Sequence, residues 1–265
     1  MCGIYGITTG DQKFINDYMH TCSHRGPDGA DKIEIVNKKS NNTVTLGHNL
    51  LSIMSEPGQS RQPWRTPKYN YLVYNGEIFN YYQLKEKYKD FKDTSGCDTE
   101  LLAWGLDKFG ISFIDELDSM HGFAYYEVDK DRLTLSRDHA GIKPVYYAEI
   151  KEGLVFGSEI KGMLDKVPGS RKMDELALGC MTTTGINPLR NTFFTGIKKL
   201  LAGETIVYDI ANKKIIDTKR VFVKPNSNKQ FDPDLILLNP PRLGWYLMWL
   251  YFFFLIVPFN SFPSL

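Results

Sequence analysis

Met1-Cys2-Gly3-Ile4-Tyr5-Gly6-Ile7 opens the chain, and the placement of its cysteine directs the reading of everything downstream. Removal of Met1 would leave a residue that carries a thiol and a free α-amine together. An α-amine, with a pKa of about 8, is partly the neutral base near neutral pH. It can take the thiol proton and hand it to a leaving amine, so that nucleophile and base share one residue. The competing reading is structural. Gly3 to Thr8 alternates small and apolar residues, which describes a buried strand ending at Gly10-Asp11, with Cys2 at the start of an edge strand. The rest of the chain decides between them.

At 265 residues, 42% hydrophobic and 24% charged, the chain has the make-up of one large domain or a domain with an appendage. A net charge of +1 offers no surplus positive field, so no nucleic-acid partner is expected. The cysteines Cys2, Cys22, Cys97 and Cys180 are too widely spaced for zinc knuckles or a disulfide framework, and they read as reduced thiols in a cytoplasmic protein. His20 and His24 stand at helical spacing without the intervening carboxylate of a metalloprotease, so no metal is expected. Asn41-Asn42-Thr43 fits a glycosylation sequon, but without a secretory signal peptide it reads as chance.

Phe14, Ile15, Tyr18, Met19 and Cys22 share one helical face, which predicts a helix over Gln12 to Cys22. Further helices are expected from Tyr81 to Tyr88 and from Asp98, as N-cap, to Gly110. Strands are expected at Val44–Leu46, Tyr71–Tyr74, Gly122–Val128, Arg132–Ser136, Val145–Glu149 and Leu154–Gly157. A second strand group covers Glu204–Asp209, Ile215–Asp217 and Val221–Val223. Helices clustered between strand groups suggest stacked antiparallel sheets covered by helices, an α+β arrangement. After Pro225 the composition changes abruptly. Leu243 to Val257 carries no charge and is crowded with aromatic residues, yet is shorter than the roughly 20 residues of a membrane span. It reads as a marginal membrane anchor, a segment docking on an apolar partner, or a truncation-derived extension, the last being preferred.

Several motifs now join Cys2. They are His24-Arg25-Gly26-Pro27-Asp28-Gly29, Tyr74-Asn75-Gly76-Glu77, Gly96-Cys97-Asp98-Thr99-Glu100, Ser136-Arg137-Asp138-His139-Ala140-Gly141-Ile142-Lys143-Pro144 and Ser158-Glu159-Ile160-Lys161. In this order the set resembles the glutamine-hydrolysing domain of class II amidotransferases, most closely the glutamine-dependent asparagine synthetases. The resemblance covers residues 2–223, leaving 224–265 as an atypical apolar tail. It implies a four-layer αββα sandwich of N-terminal-nucleophile type. It also implies an enzyme that hydrolyses L-glutamine to glutamate and ammonia through a Cys2 γ-glutamyl thioester, with no cofactor. Alone, Asn75-Gly76 reads first as a hairpin turn. Within the resemblance, the Asn75 side chain and the Gly76 N–H are the oxyanion donors. Glu77 and Asp98 would bind the substrate ammonium, and backbone groups at Leu51 and Ile53 would line the pocket. Arg25 would order the nearby loop through charge-assisted bonds, and Arg137-Asp138 reads as a structural ion pair.

One departure stands out. Leu50-Leu51-Ser52-Ile53 replaces the Arg-Leu-Ser-Ile of the family, so the arginine expected to clamp the substrate carboxylate is absent. Arg61 and Arg65 are the nearby cations by sequence. His121, where the family has a bulky apolar residue, reads as a core polar residue. No Ser-Gly-Gly phosphate-binding loop of a synthetase domain occurs, so asparagine synthesis would need a synthetase partner in trans. Two alternatives follow from Leu50 and the tail: a catalytically weak regulatory or binding module, or an amide hydrolase of different substrate specificity.

Overall fold

The opening strand lies in the middle of a sheet, hydrogen-bonded on both sides to segments far along the chain. In the computed structural model, which describes residues 1–52 and 61–221, the strands in chain order are β1 Gly3–Ile7, β2 Gly29–Val36, β3 Thr43–Leu50, β4 Trp64–Arg65, β5 Tyr71–Ile78, β6 Ser119–Glu127, β7 Arg132–Arg137, β8 Tyr146–Ile150, β9 Gly153–Gly157, β10 Lys198–Lys199, β11 Glu204–Asp209 and β12 Lys214–Arg220. The helices are α1 Gln12–Thr21, α2 Tyr81–Lys87, α3 Asp98–Phe109 and α4 Glu175–Thr184. The strands form two six-stranded sheets, ordered β10-β8-β9-β1-β3-β2 and β12-β11-β7-β6-β5-β4. Every pairing between them is antiparallel.

Side-chain alternation sorts the apolar residues into three layers. Ile4, Val44, Leu46, Val73, Ala124, Leu133, Leu135 and Phe156 meet between the sheets. Tyr5 and Ile7 point the other way, onto Ile15, Tyr18 and Met19 of α1. Leu72, Tyr74, Ile78, Phe123 and Tyr125 face the opposite exterior, covered by α2 and α3. Burying one such side chain contributes about 1.5–3 kcal/mol, so each layer locks the face of its strands. The layer order is therefore helix, sheet, sheet, helix. Asp11 starts α1 by accepting from Phe14 N at 2.9 Å, an N-cap bond.

Several expectations change. β1 is central, where an edge strand was expected, because both β3 and β9 pair with it. Cys97 occupies the N-cap of α3 without a side-chain capping bond, while Asp98 is its first residue and turns its carboxylate to β5. Arg137 and Asp138 serve different partners. The guanidinium donates to the carbonyls of Gly141, Lys143 and Leu200, and the carboxylate accepts backbone N–H groups from His121, Ala140, Ile142 and Lys143. β2 and α4 had no counterpart in the sequence reading. In α4 only Ala177 is buried, so the apolar residues Leu176, Leu178 and Met181 trace no core-facing stripe. The chain divides into two units, Met1–Phe222 and Val223–Leu265. The expectations for Ile53, for Phe222-Val223 and for the tail at 224–265 lie outside the described residues.

Candidate active site

Cys2 stands one residue ahead of β1, and its backbone continues that strand. Ile4 faces the gap between the sheets, so alternation turns Cys2 to the same gap. Its sulfur lies against Leu51, accepting from the amide N at 3.3 Å and donating to the carbonyl O at 3.5 Å. Two of the sequence motifs hold this corner. Arg25, 7% exposed, donates from Nε to Cys2 O at 3.0 Å and from Nη1 to Glu159 at 3.1 Å. His24 Nε2 lies 2.8 Å from the same Glu159 oxygen. Ser158 extends the β1–β9 pairing, its N donating to Ile4 O and its Oγ accepting from Ile4 N, both at 3.0 Å. Asp28 holds the other flank, accepting from Ser52 N at 2.8 Å while its own N–H reaches Leu50 O at 3.0 Å. The His-Arg-Gly-Pro-Asp and Ser-Glu-Ile-Lys strings are thus the brackets around Cys2.

The second sheet supplies β5, which packs against β1 and β3. Val73 belongs to the inter-sheet core, so Asn75 and Glu77 project toward the first sheet. Asn75 is 2% exposed, and its Nδ2 is buried with no hydrogen-bond partner among the described residues. Gly76 pairs with His121 in strand register, which removes Asn75-Gly76 from any hairpin turn. A Cβ at Gly76 would lie 2.3 Å from Met120 O, so only glycine permits this approach of β5 to β6. Asp98 Oδ2 accepts from Tyr74 Oη at 2.9 Å and from Ile78 N at 3.0 Å. Glu77 is half-buried near it.

Burial governs the charges here. It pushes the Cys2 thiol up, while the Leu51 N–H, the terminal amine, Lys143 and Arg25 oppose that rise. It holds the Met1 amine below its ordinary value, with Arg25 and Lys143 adding to the effect. Asp98 is pushed up to about 6 by burial against the bonds from Tyr74 and Ile78. His48, whose Nε2 lies 3.2 Å from Tyr74 O across the gap, is lowered to about 4 by burial and is neutral at pH 7.

Where β2 and β3 meet, a cavity of about 150 Å³ is lined by Asp28, Asp31, His48, Leu50, Arg61 and Gln62 among others. The β1–β3 register begins at Gly3 opposite Asn49, next to Cys2 and Leu50 in the two chains, and Leu50 pairs with Gly29. Arg61 reaches this cavity, its Nε 4.0 Å from Asp31, whereas Arg65 lies over the Tyr69 ring at 4.2 Å. The structure brings Cys2 and Leu51 together, and Asn75, Gly76, Glu77 and Asp98 at the end of β5 facing or bordering the same gap. His121 is a buried core residue between Ser119 Oγ at 2.8 Å and Ser136 Oγ at 3.3 Å. The sequence reading gave no role to His48 or Lys143. For Lys143 the signal was an isolated cation between Ile142 and the Pro144-Val145 start of a buried strand.

The solved structure of glutamine phosphoribosylpyrophosphate amidotransferase from Bacillus subtilis resembles this one with a TM-score of 0.58 at 16% identity, over 83% of this chain and 49% of that one. The likeness and the layer order define the N-terminal-nucleophile amidotransferase fold. A family profile described as "Glutamine amidotransferase domain" matches residues 1–221. The chain belongs to that glutamine amidotransferase domain family, an enzyme family, and within it is asparagine synthetase-like. A putative glutamine-hydrolyzing asparagine synthetase of Methanocaldococcus jannaschii is 29% identical over 81% of the chain, which spans 45% of that protein. Asparagine synthetase B of Escherichia coli is 30% identical over 68% of the chain, which spans 32% of it. The amidase chry2 of Gibberella zeae is 28% identical over 78% of the chain and 32% of its own length. The chain therefore spans less than half the length of these curated relatives. Among the described residues, no helix is long and apolar enough to cross a membrane.

Proposed function

We propose that the domain hydrolyses L-glutamine to glutamate and ammonia, with Cys2 of the Met1-processed chain as nucleophile. The observation that carries this reading is the buried, unpartnered Asn75 Nδ2, projecting into the gap that Cys2 faces. A buried donor without an acceptor is costly, and an oxyanion forming beside Cys2 would satisfy it. In the first step the Cys2 amine takes the thiol proton and the sulfur attacks the side-chain amide carbon. Charge on the oxygen is held by Asn75 Nδ2 and the Gly76 N–H. The C–N bond then breaks, the proton passes to the leaving nitrogen, and ammonia departs from a γ-glutamyl thioester. Water attacks that thioester, the sulfur leaves, and glutamate is released. Glu77 and ionised Asp98 bind the substrate ammonium, and the backbone at Leu51 lines the pocket. Residues 2–223 form the amidotransferase domain and 224–265 a separate tail. The ammonia serves a synthetase domain or partner, in a cytoplasmic setting that keeps the thiols reduced.

Ammonia release from glutamine by the processed protein, together with labelling of Cys2 by a diazo-ketone glutamine mimic, tests the reading. An unlabelled Cys2 in folded, processed protein overturns it. Leu50 favours a second reading, in which the enzyme cleaves another side-chain amide, because a buried apolar side chain adjoins Leu51, the residue that holds the Cys2 sulfur. Leu50→Arg separates the two. Under the glutamine reading the variant lowers KM for glutamine by about tenfold, as a buried charge-assisted pair would. Under the second reading, an amide without a carboxylate is the better substrate of the unaltered chain and is weakened by the substitution.

A further inference from the structure

We propose that Lys143 is a positioning residue that poises the nucleophile: its buried ammonium, seated against Met1, is left facing the Cys2 sulfur and amine once Met1 is removed. Its purpose rests on the glutaminase reading above, but its measurement does not. Lys143 lies between β7 and β8, and its backbone is held on both sides. Its N–H donates to Asp138 Oδ2 at 2.9 Å and its carbonyl accepts from Arg137 Nε at 2.9 Å. The residue is 5% exposed, and the hydrogen-bond partner of Nζ among the described residues is the Met1 thioether, at 3.5 Å. A thioether is a weak acceptor, so this ammonium is buried without an oxygen to balance it. Such an arrangement is costly unless an anion forms nearby.

The neighbouring charges point to which anion. Lys143 lies within electrostatic reach of Cys2, Arg25, Asp138 and Glu77. Cys2 in turn faces the Met1 amine, Lys143 and Arg25, with Tyr74 in reach across the gap, and the amine also senses Asp28. Arg25 gives Nε to Cys2 O and Nη1 to Glu159, with Nη2 buried and unpartnered among the described residues, and Asp138 accepts backbone N–H groups from His121, Ala140, Ile142 and Lys143. Asp28 holds Ser52 N. Lys143 is the cation of this group whose charged Nζ bonds, among the described residues, only to the residue that processing removes. Its positive charge favours the thiolate over the thiol and the free amine over the ammonium. Both titrations of Cys2 therefore move to lower pH together.

The test follows the pH dependence of Cys2 alkylation by iodoacetamide in Met1-processed protein. Quantifying the Cys2 peptide by mass keeps Cys22, Cys97 and Cys180 out of the signal. Lys143→Met, of matching length, raises the midpoint by about one pH unit, and Lys143→Arg returns it toward the unaltered protein. Where methionine is not accommodated, Lys143→Gln gives the same readout. A folded neutral variant whose Cys2 midpoint is unmoved overturns the proposal, even if its melting temperature or turnover has dropped. A shifted midpoint in a protein that releases no ammonia from glutamine overturns the proposed function and leaves the role of Lys143 standing.

Discussion

Asn75 Nδ2 stabilises nothing inside the folded chain, since it has no partner among the described residues. Asn75→Ala should therefore leave the melting temperature close to that of the unaltered protein while lowering kcat by about 10²–10³-fold, the effect of losing one oxyanion donor. Unchanged turnover, or a large fall in melting temperature with turnover kept, refutes that assignment. Asp98 yields a prediction in pH. Burial raises its pKa from 3.8 to about 6, and only the carboxylate form can hold a substrate ammonium. KM for glutamine should rise as pH falls through about 6 and stay level above it, which initial-rate kinetics between pH 5 and pH 8 would detect. The sign for stability is the reverse. The folded chain binds this proton more tightly than the unfolded chain, so the Asp98 contribution weakens as pH climbs from 3.8 to about 6 and then levels off.

At the scale of elements, β5 carries the proposed donors, and its distance from β6 is set by a missing side chain. Gly76→Ala would place a Cβ 2.3 Å from Met120 O, so the two strands must part. A loss of about 1–3 kcal/mol in urea unfolding and a fall in kcat are expected together; unfolding unchanged by the substitution would contradict the close approach. The elements best legible in the sequence were those with a strict period. Gly3–Ile7 alternates because its two faces enter two different core layers, and Gln12–Thr21 keeps one apolar face because it meets a single one. β2 was not legible because Asp31, Lys32 and Glu34 interrupt its apolar residues, as an edge strand allows. Asp98 misled for a physical reason. An acidic residue at a helix start suits capping, but this carboxylate is drawn to Tyr74 and the Ile78 N–H, a long-range pairing that no local pattern encodes. Cys2, Asn75, Gly76 and Asp98 were legible as motifs. Lys143 was not singled out, because its isolation from oxygen partners emerges only when Met1 packs on it.

Across the whole molecule, the candidate site lies in the gap between the sheets, so the inter-sheet core sets its width. Phe156 of β9 is fully buried in that core beside Ile4 and Leu46. Phe156→Ala should cost about 3–5 kcal/mol in denaturant unfolding and lower turnover as the sheets lose their spacer. A loss below about 1 kcal/mol would show that the gap relaxes freely around the vacancy. The central place of β1 has a consequence for the order of assembly. Its ladder needs residues 43–50 on one side and 153–157 on the other. A chain leaving the ribosome therefore displays its amino end long before the second partner exists, and the sulfur waits as an ordinary thiol. Under the proposed role of Cys2, reactivity is switched on late in synthesis, by the arrival of a distant hairpin, which protects a nascent polypeptide from its own nucleophile.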